Sequence, residues 1–199
     1  MKRSEWLDAW LAAIAQDNDE EAERLTLQGT ATAEPALLSQ LQQGNPDQRW
    51  WAARALAHCG TGAAIPALLA ALEGKNAELR AVAALALGAL YVRKRTQAPS
   101  PLAAVATLLA DDDGMVRQAA ADALAQCGDD AIGALVNVLR NSEHQGARSR
   151  AAYALRKIGS EAAAPALFRC LNDPNYLVHT YAHEALDEMG LLENVLVTM

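Results

Sequence analysis

One pattern recurs five times along this chain, and it limits the fold more than any other feature. A basic residue is followed by Ala at +3, +4 and +6, Leu at +7 and Gly at +11. The copies read RWWAARALAHCG from Arg49, RAVAALALGALY from Arg80, RQAAADALAQCG from Arg117, RSRAAYALRKIG from Arg148 and HTYAHEALDEMG from His179. The second copy has Tyr91 in place of Gly, and the fifth has His179 for Arg and His183 for Ala. The anchors lie 31, 37, 31 and 31 residues apart. Such a period marks an array of supersecondary units, each burying an apolar face against its neighbours.

Each copy follows a second apolar segment: PALLSQL from Pro35, PALLAAL from Pro66, AAVATLL from Ala103, GALVNVL from Gly133 and PALFRCL from Pro165. Apolar residues recur at three- and four-residue spacing, the stripe of an amphipathic helix. Asn45-Pro46 and Asp173-Pro174 place a capping side chain before a Pro at the first helical position. Gly60, Gly128, Gly159 and Gly190 stand where a left-handed residue ends a helix. The unit is therefore helix, turn, helix. Composition agrees: 45 Ala and 29 Leu against one Phe suit close helix contacts and argue against a β-sandwich or barrel.

These residues resemble HEAT repeats, in particular the PBS-lyase HEAT-like type, over residues 35 to 190. The resemblance implies an all-α fold, a right-handed α-solenoid (superhelix) of HEAT-like helical hairpins. The expected organisation is a single domain, 1–199: an N-terminal helical cap at 1–34, five repeats at 35–190 and a tail at 191–199. Residues 4 to 29 depart from the pattern, and Trp6, Trp10, Ile14, Ala22 and Leu25 suggest two capping helices. The motif Arg is expected to form a ladder between repeats. His183 falls at the last repeat, where no further unit needs covering.

Chemical motifs are sparse. There is no phosphate loop, Rossmann fingerprint or nucleophile elbow. Cys59, Cys127 and Cys170 form no CxxC pair and read as reduced thiols of a cytoplasmic protein. His179, His183 and Asp187 at i, i+4, i+8 can share a helix face, as metal ligands do, but no HExxH accompanies them. His183-Glu184 is a single His-Glu pair, whereas the HEAT-repeat di-iron hydroxylases carry several. The expectation is no enzyme, no cofactor and no metal. The apolar runs are far shorter than the ~20 residues of a membrane helix, and the N-terminus lacks a signal-peptide pattern. A net charge of -7 and pI near 5.1 disfavour nucleic acid and anionic lipid.

The resemblance places second helices on a concave face, where positions +1, +5, +8 and +9 are free of packing. The candidate protein-binding residues are Trp50, Trp51, Arg54, His58, Leu85, Asp122, Gln126, Tyr153, Arg156, Lys157 and Glu184. Trp, Tyr and Arg are the commonest interface anchors. Trp50 and Trp51 are adjacent and cannot both enter one packed layer. One of them is exposed, or the N-terminal helices cover them. Charge alternates along the chain: residues 101–131 carry one basic and six acidic residues, 132–164 five and two, and 165–199 one and five. Such patches orient a partner more than they add affinity.

The 37-residue spacing marks an insertion near Val92 to Ser100 with Arg93-Lys94-Arg95. The principal reading is a bacterial-type scaffold, adaptor or assembly factor that binds another protein. Two alternatives remain beside it: an accessory subunit or lyase of the phycobilin-lyase kind, and weak nucleic-acid binding through the basic loop 93–95. The apolar tail Leu191 to Val197 is either a cap or a homodimer contact.

Overall fold

The computed structural model describes residues 3–94 and 100–192. All regular structure among them is helical. The chain divides into two compact units, Met1–Pro101 and Leu102–Met199. The first holds α1 (Arg3–Ala15), α2 (Asp19–Leu27), α3 (Glu34–Gln43), α4 (Pro46–Cys59), α5 (Ile65–Leu72) and α6 (Ala77–Lys94). The second holds α7 (Leu102–Thr107), α8 (Gly114–Gln126), α9 (Ile132–Asn141), α10 (Gln145–Ile158), α11 (Ala164–Cys170) and α12 (Tyr176–Glu188). In each unit consecutive helices pair as hairpins, and second helices pack on second helices: α2 on α4 and α4 on α6, then α8 on α10 and α10 on α12.

The repeated small residues explain this packing. Ala52, Ala53, Ala55 and Leu56 of α4 are wholly buried, as are their counterparts Ala83, Ala84, Ala86 and Leu87 of α6 and Ala151, Ala152, Ala154 and Leu155 of α10. An alanine at +3, +4 and +6 lets the neighbouring helix backbone approach. The leucines at +7 and those of the first helices, such as Leu37, Leu68 and Leu135, fill the remaining space. Each such leucine contributes about 1.5–3 kcal/mol of burial. In α12 His183 takes the +4 position and is exposed, whereas Ala182, Ala185 and Leu186 stay buried.

Each motif Arg binds a backbone carbonyl of its own hairpin, and Arg148 also makes the expected contact with the next unit. Arg49 Nε donates to Leu41 O (3.0 Å), Arg80 Nη1 to Gly74 O (2.9 Å), Arg117 Nη1 to Asp111 O (2.7 Å) and Arg148 Nη1 to Ser142 O (3.1 Å). Each acceptor lies at the end of its own repeat's first helix or in the turn that follows. Carbonyls there lack an intrahelical partner, and a guanidinium supplies several donors at once. The Arg thus closes its own hairpin. Arg148 also reaches the next hairpin, 3.6 Å from Asp173.

Two helix boundaries differ from expectation. Asn45 forms a full capping box with Gln48 ahead of Pro46, as the sequence suggests. At the other site α12 begins at Tyr176, two residues after Pro174, with Asn175 as its cap. Asn175 Oδ1 accepts from Leu177 N, and its Nδ2 donates to Gln145 O and Ser149 Oγ of α10, so one residue both starts the helix and docks it. Gly128, Gly159 and Gly190 adopt positive φ, but Gly60 sits at φ -63°. There the demand is steric: a Cβ on Gly60 would lie 2.6 Å from Leu56 O.

Residues 4–29 form the α1–α2 hairpin. Counting from Asn18, 31 residues before Arg49, Ala22, Leu25 and Gly29 fall at +4, +7 and +11, and Ala22 and Leu25 are buried. Trp6 and Trp10 stack at 5.7 Å, and their indole N–H groups donate to Leu25 O (2.9 Å) and Thr26 Oγ1 (3.0 Å). Tryptophan thus fills this hairpin and ties it by hydrogen bonds, where alanine pairs elsewhere let helices approach closely.

Candidate protein-interaction face

The candidate residues of the second unit are largely engaged with one another. Asp122 of α8 accepts from Gln118 Nε2 (2.9 Å), Lys157 Nζ (2.8 Å) and Tyr153 OH (3.3 Å). Burial raises the Asp122 pKa, but these hydrogen bonds and the Lys157 charge outweigh it and hold the carboxyl below its ordinary value. Arg156 of α10 binds Glu184 (2.9 Å) and Glu188 (2.5 Å) of α12. Tyr153 meets Tyr181 edge-on at 5.7 Å, with Arg150 and Lys157 near its face. Gln126 is exposed beside this group. In this unit contacts between second helices therefore run through positions +5, +8 and +9, beside the Arg148–Asp173 contact made by the motif Arg. Such partly exposed pairs contribute about 0–1 kcal/mol each, so their value lies in setting which helix face meets which.

The first unit differs. Trp51 is buried at 8% exposure, while Trp50 is half-buried and meets it edge-on at 5.0 Å. α1 and α2 both pack on α4. Arg54 forms a forked pair with Glu23 of α2, Nε to Oε2 at 2.6 Å and Nη2 to Oε1. His58 is exposed, and Leu85 on α6 is 37% exposed. Beside the Arg54–Glu23 pair a cleft of ≈ 190 Å³ opens, lined by Glu23, Thr26, Leu27, Arg54, Ala57 and His58. Leu27 stands 55% exposed on its wall.

Asp19, Glu23 and Leu27 lie 31 residues before Trp50, Arg54 and His58. The α2 strip is thus the positional counterpart of the α4 strip. The repeat motif does not point to Glu23 and Leu27, because α2 lacks the anchor Arg and two of the three motif alanines. The 31-residue count is the signal that locates them.

The remaining candidates sit as follows. Arg93 Nη2 donates to Gly60 O at 2.7 Å, closing the end of α4. The Lys94 side chain, Arg95 and residues 193–199 of the apolar tail lie outside the described residues. His179 and His183 have ring centroids 6.4 Å apart. Among the described residues no three His, Cys, Asp or Glu are grouped to hold a metal ion, and no helix is long and apolar enough to cross a membrane.

Cys59, Cys127 and Cys170 are reduced thiols. Burial, reinforced by the Asp130 charge, pushes Cys127 up to about 11, and its Sγ donates to Ala123 O at 3.2 Å. Burial also raises Cys59 and Cys170. At pH 8 Cys127 then holds roughly two orders of magnitude less thiolate than an ordinary cysteine. A thiol-specific colorimetric reagent should label half-buried Cys59 first and leave Cys127 unreacted until denaturant is added. Rapid labelling of Cys127 in the native protein would contradict this burial.

Three overlapping stretches, residues 7–88, 34–125 and 102–187, match the model of the HEAT-repeat family. The chain belongs to the HEAT-repeat family. The match begins within α1, so it includes the α1–α2 hairpin. Among solved structures, the Escherichia coli protein YibA is similar over 99% of this chain and 75% of its own, at 20% identity and TM-score 0.63. An engineered protein is similar over 96% and 97%, at 23% identity and TM-score 0.54. At these identities the likeness concerns the fold. No curated protein matches the sequence.

Proposed function

We propose that this HEAT-repeat protein is a non-enzymatic cytoplasmic adaptor or assembly factor that grips another protein through the second-helix face of its first unit. The cleft between α2 and α4 carries this reading. Its volume, ≈ 190 Å³, is below the roughly 300–1,000 Å³ of ordinary small-molecule pockets. It suits one side chain of a protein partner better than a chromophore or cofactor. Exposed Leu27 and half-buried Trp50 offer the apolar contact that interface anchors use. In the second unit the corresponding positions are spent on contacts between helices.

Affinity capture from the native host tests the proposal. Leu27→Ser with His58→Ala should abolish partner capture, because both side chains are exposed and their loss leaves the core intact. Phe168→Ser, an exposed change in the second unit, should leave capture unchanged. Retained capture by the double variant would remove the cleft from consideration.

A further inference from the structure

We infer that the segment seated in the α2–α4 cleft is basic as well as apolar; this rests on the reading of the cleft as a protein-binding site. Asp19, Glu23 and Leu27 stand at i, i+4 and i+8 and so share one strip of α2. Asp19 and Glu20 are exposed on the turn before Glu23. Arg54 and Glu23 neutralise each other in their forked pair, so the net charge beside the cleft is that of Asp19 and Glu20. The cleft also lies at the last turn of α2, whose end carries partial negative charge, whereas Arg93 caps the end of α4. Residues 1–29 hold seven acidic and three basic residues, a net -4 out of the chain's -7.

The complementary ligand is an amphipathic segment. One aliphatic side chain rests on Leu27 and Ala57, and flanking Lys or Arg groups face Asp19 and Glu20. The charges would speed and orient docking, and the apolar contact would hold it. The opposite arrangement, a carboxylate bridged by Arg54 and His58, has to break the Arg54–Glu23 pair and meets the C-terminus of α2.

The test uses the full-length protein and two labelled peptides of equal length and identical leucine spacing, one Lys/Leu and one Glu/Leu. Fluorescence anisotropy at low and moderate salt should show the Lys/Leu peptide binding at least about tenfold more tightly, with the difference shrinking as salt screens it. Leu27→Ser should weaken that peptide about tenfold, as loss of an anchor contact does. Asp19→Asn with Glu20→Gln should weaken it and flatten the salt dependence. Thermal melts confirm that each variant is folded. If Leu27→Ser leaves Lys/Leu binding unchanged, the contact is charge adsorption and the inference fails. Preference for the Glu/Leu peptide, lost in Leu27→Ser, also overturns the basic partner but leaves the cleft as a protein site. If neither peptide binds, the basic partner is likewise rejected, and the capture experiment decides the cleft separately.

Discussion

Trp10→Ala should destabilise the first unit by about 3–5 kcal/mol, the cost of removing a large aromatic from a sealed core. Trp10 has no solvent exposure, stacks on Trp6 and donates to the Thr26 hydroxyl. Its loss leaves a cavity between α1 and α2 and removes the tie holding the α2 end that forms the cleft. Trp10→Phe keeps most of the volume and should cost about 1 kcal/mol for the hydrogen bond, plus a smaller packing loss. All four tryptophans lie between residues 6 and 51. Indole fluorescence in a urea titration therefore reports on the first unit, while circular dichroism follows the whole chain. A midpoint for Trp10→Ala equal to that of the parent would show that α1 contributes little to the unit.

The second expected effect contrasts two residues at the same repeat position. Ala152 in α10 is wholly buried, and α10 packs against α12. Ala152→Leu forces extra methyl groups into that contact and should cost about 1–3 kcal/mol. His183 holds the equivalent place in α12 but is exposed. His183→Leu should change stability by less than about 0.5 kcal/mol, as exposed substitutions do. Denaturant unfolding followed by circular dichroism compares the two. Equal losses would mean that α12 buries this face after all.

Most of the repeat architecture is legible in the amino-acid sequence. Five copies of one alanine pattern define second helices, their buried stripe and the hairpin period. The +4 position even sets α12 apart, where exposed His183 stands in place of a buried alanine. The α1–α2 hairpin is harder to read because its core uses Trp6 and Trp10 where the others use alanine. Only Ala22, Leu25 and Gly29 keep the phase. Gly60 shows the same limit at smaller scale. Its place at a helix end is plain, but whether the backbone turns left-handed or a Cβ has no room depends on the Leu56 carbonyl above it.

The candidate face divides along similar lines. Position within the repeat picks out Arg54, Asp122, Tyr153, Arg156 and Lys157 as free of core packing, and residue type marks them as interface formers. It does not say what they face. Asp122 with Lys157, and Arg156 with Glu184 and Glu188, are partners 28 to 35 residues apart. Their pairing depends on which side of each helix meets its neighbour. Part of the motif Arg's role escapes sequence reading for the same reason, since the carbonyls it binds in its own hairpin leave no side-chain pattern.

The sequence by itself determined the class of fold, the repeat period and the residues that cannot be exposed, because a periodic apolar stripe has one way to be buried. Tertiary structure alone decided which polar side chains are consumed between helices and which remain for a partner. That choice follows from distances between residues some thirty positions apart. It leaves Leu27, His58 and half-buried Trp50 on the first unit's face, and ties the ladder residues of the second unit to each other.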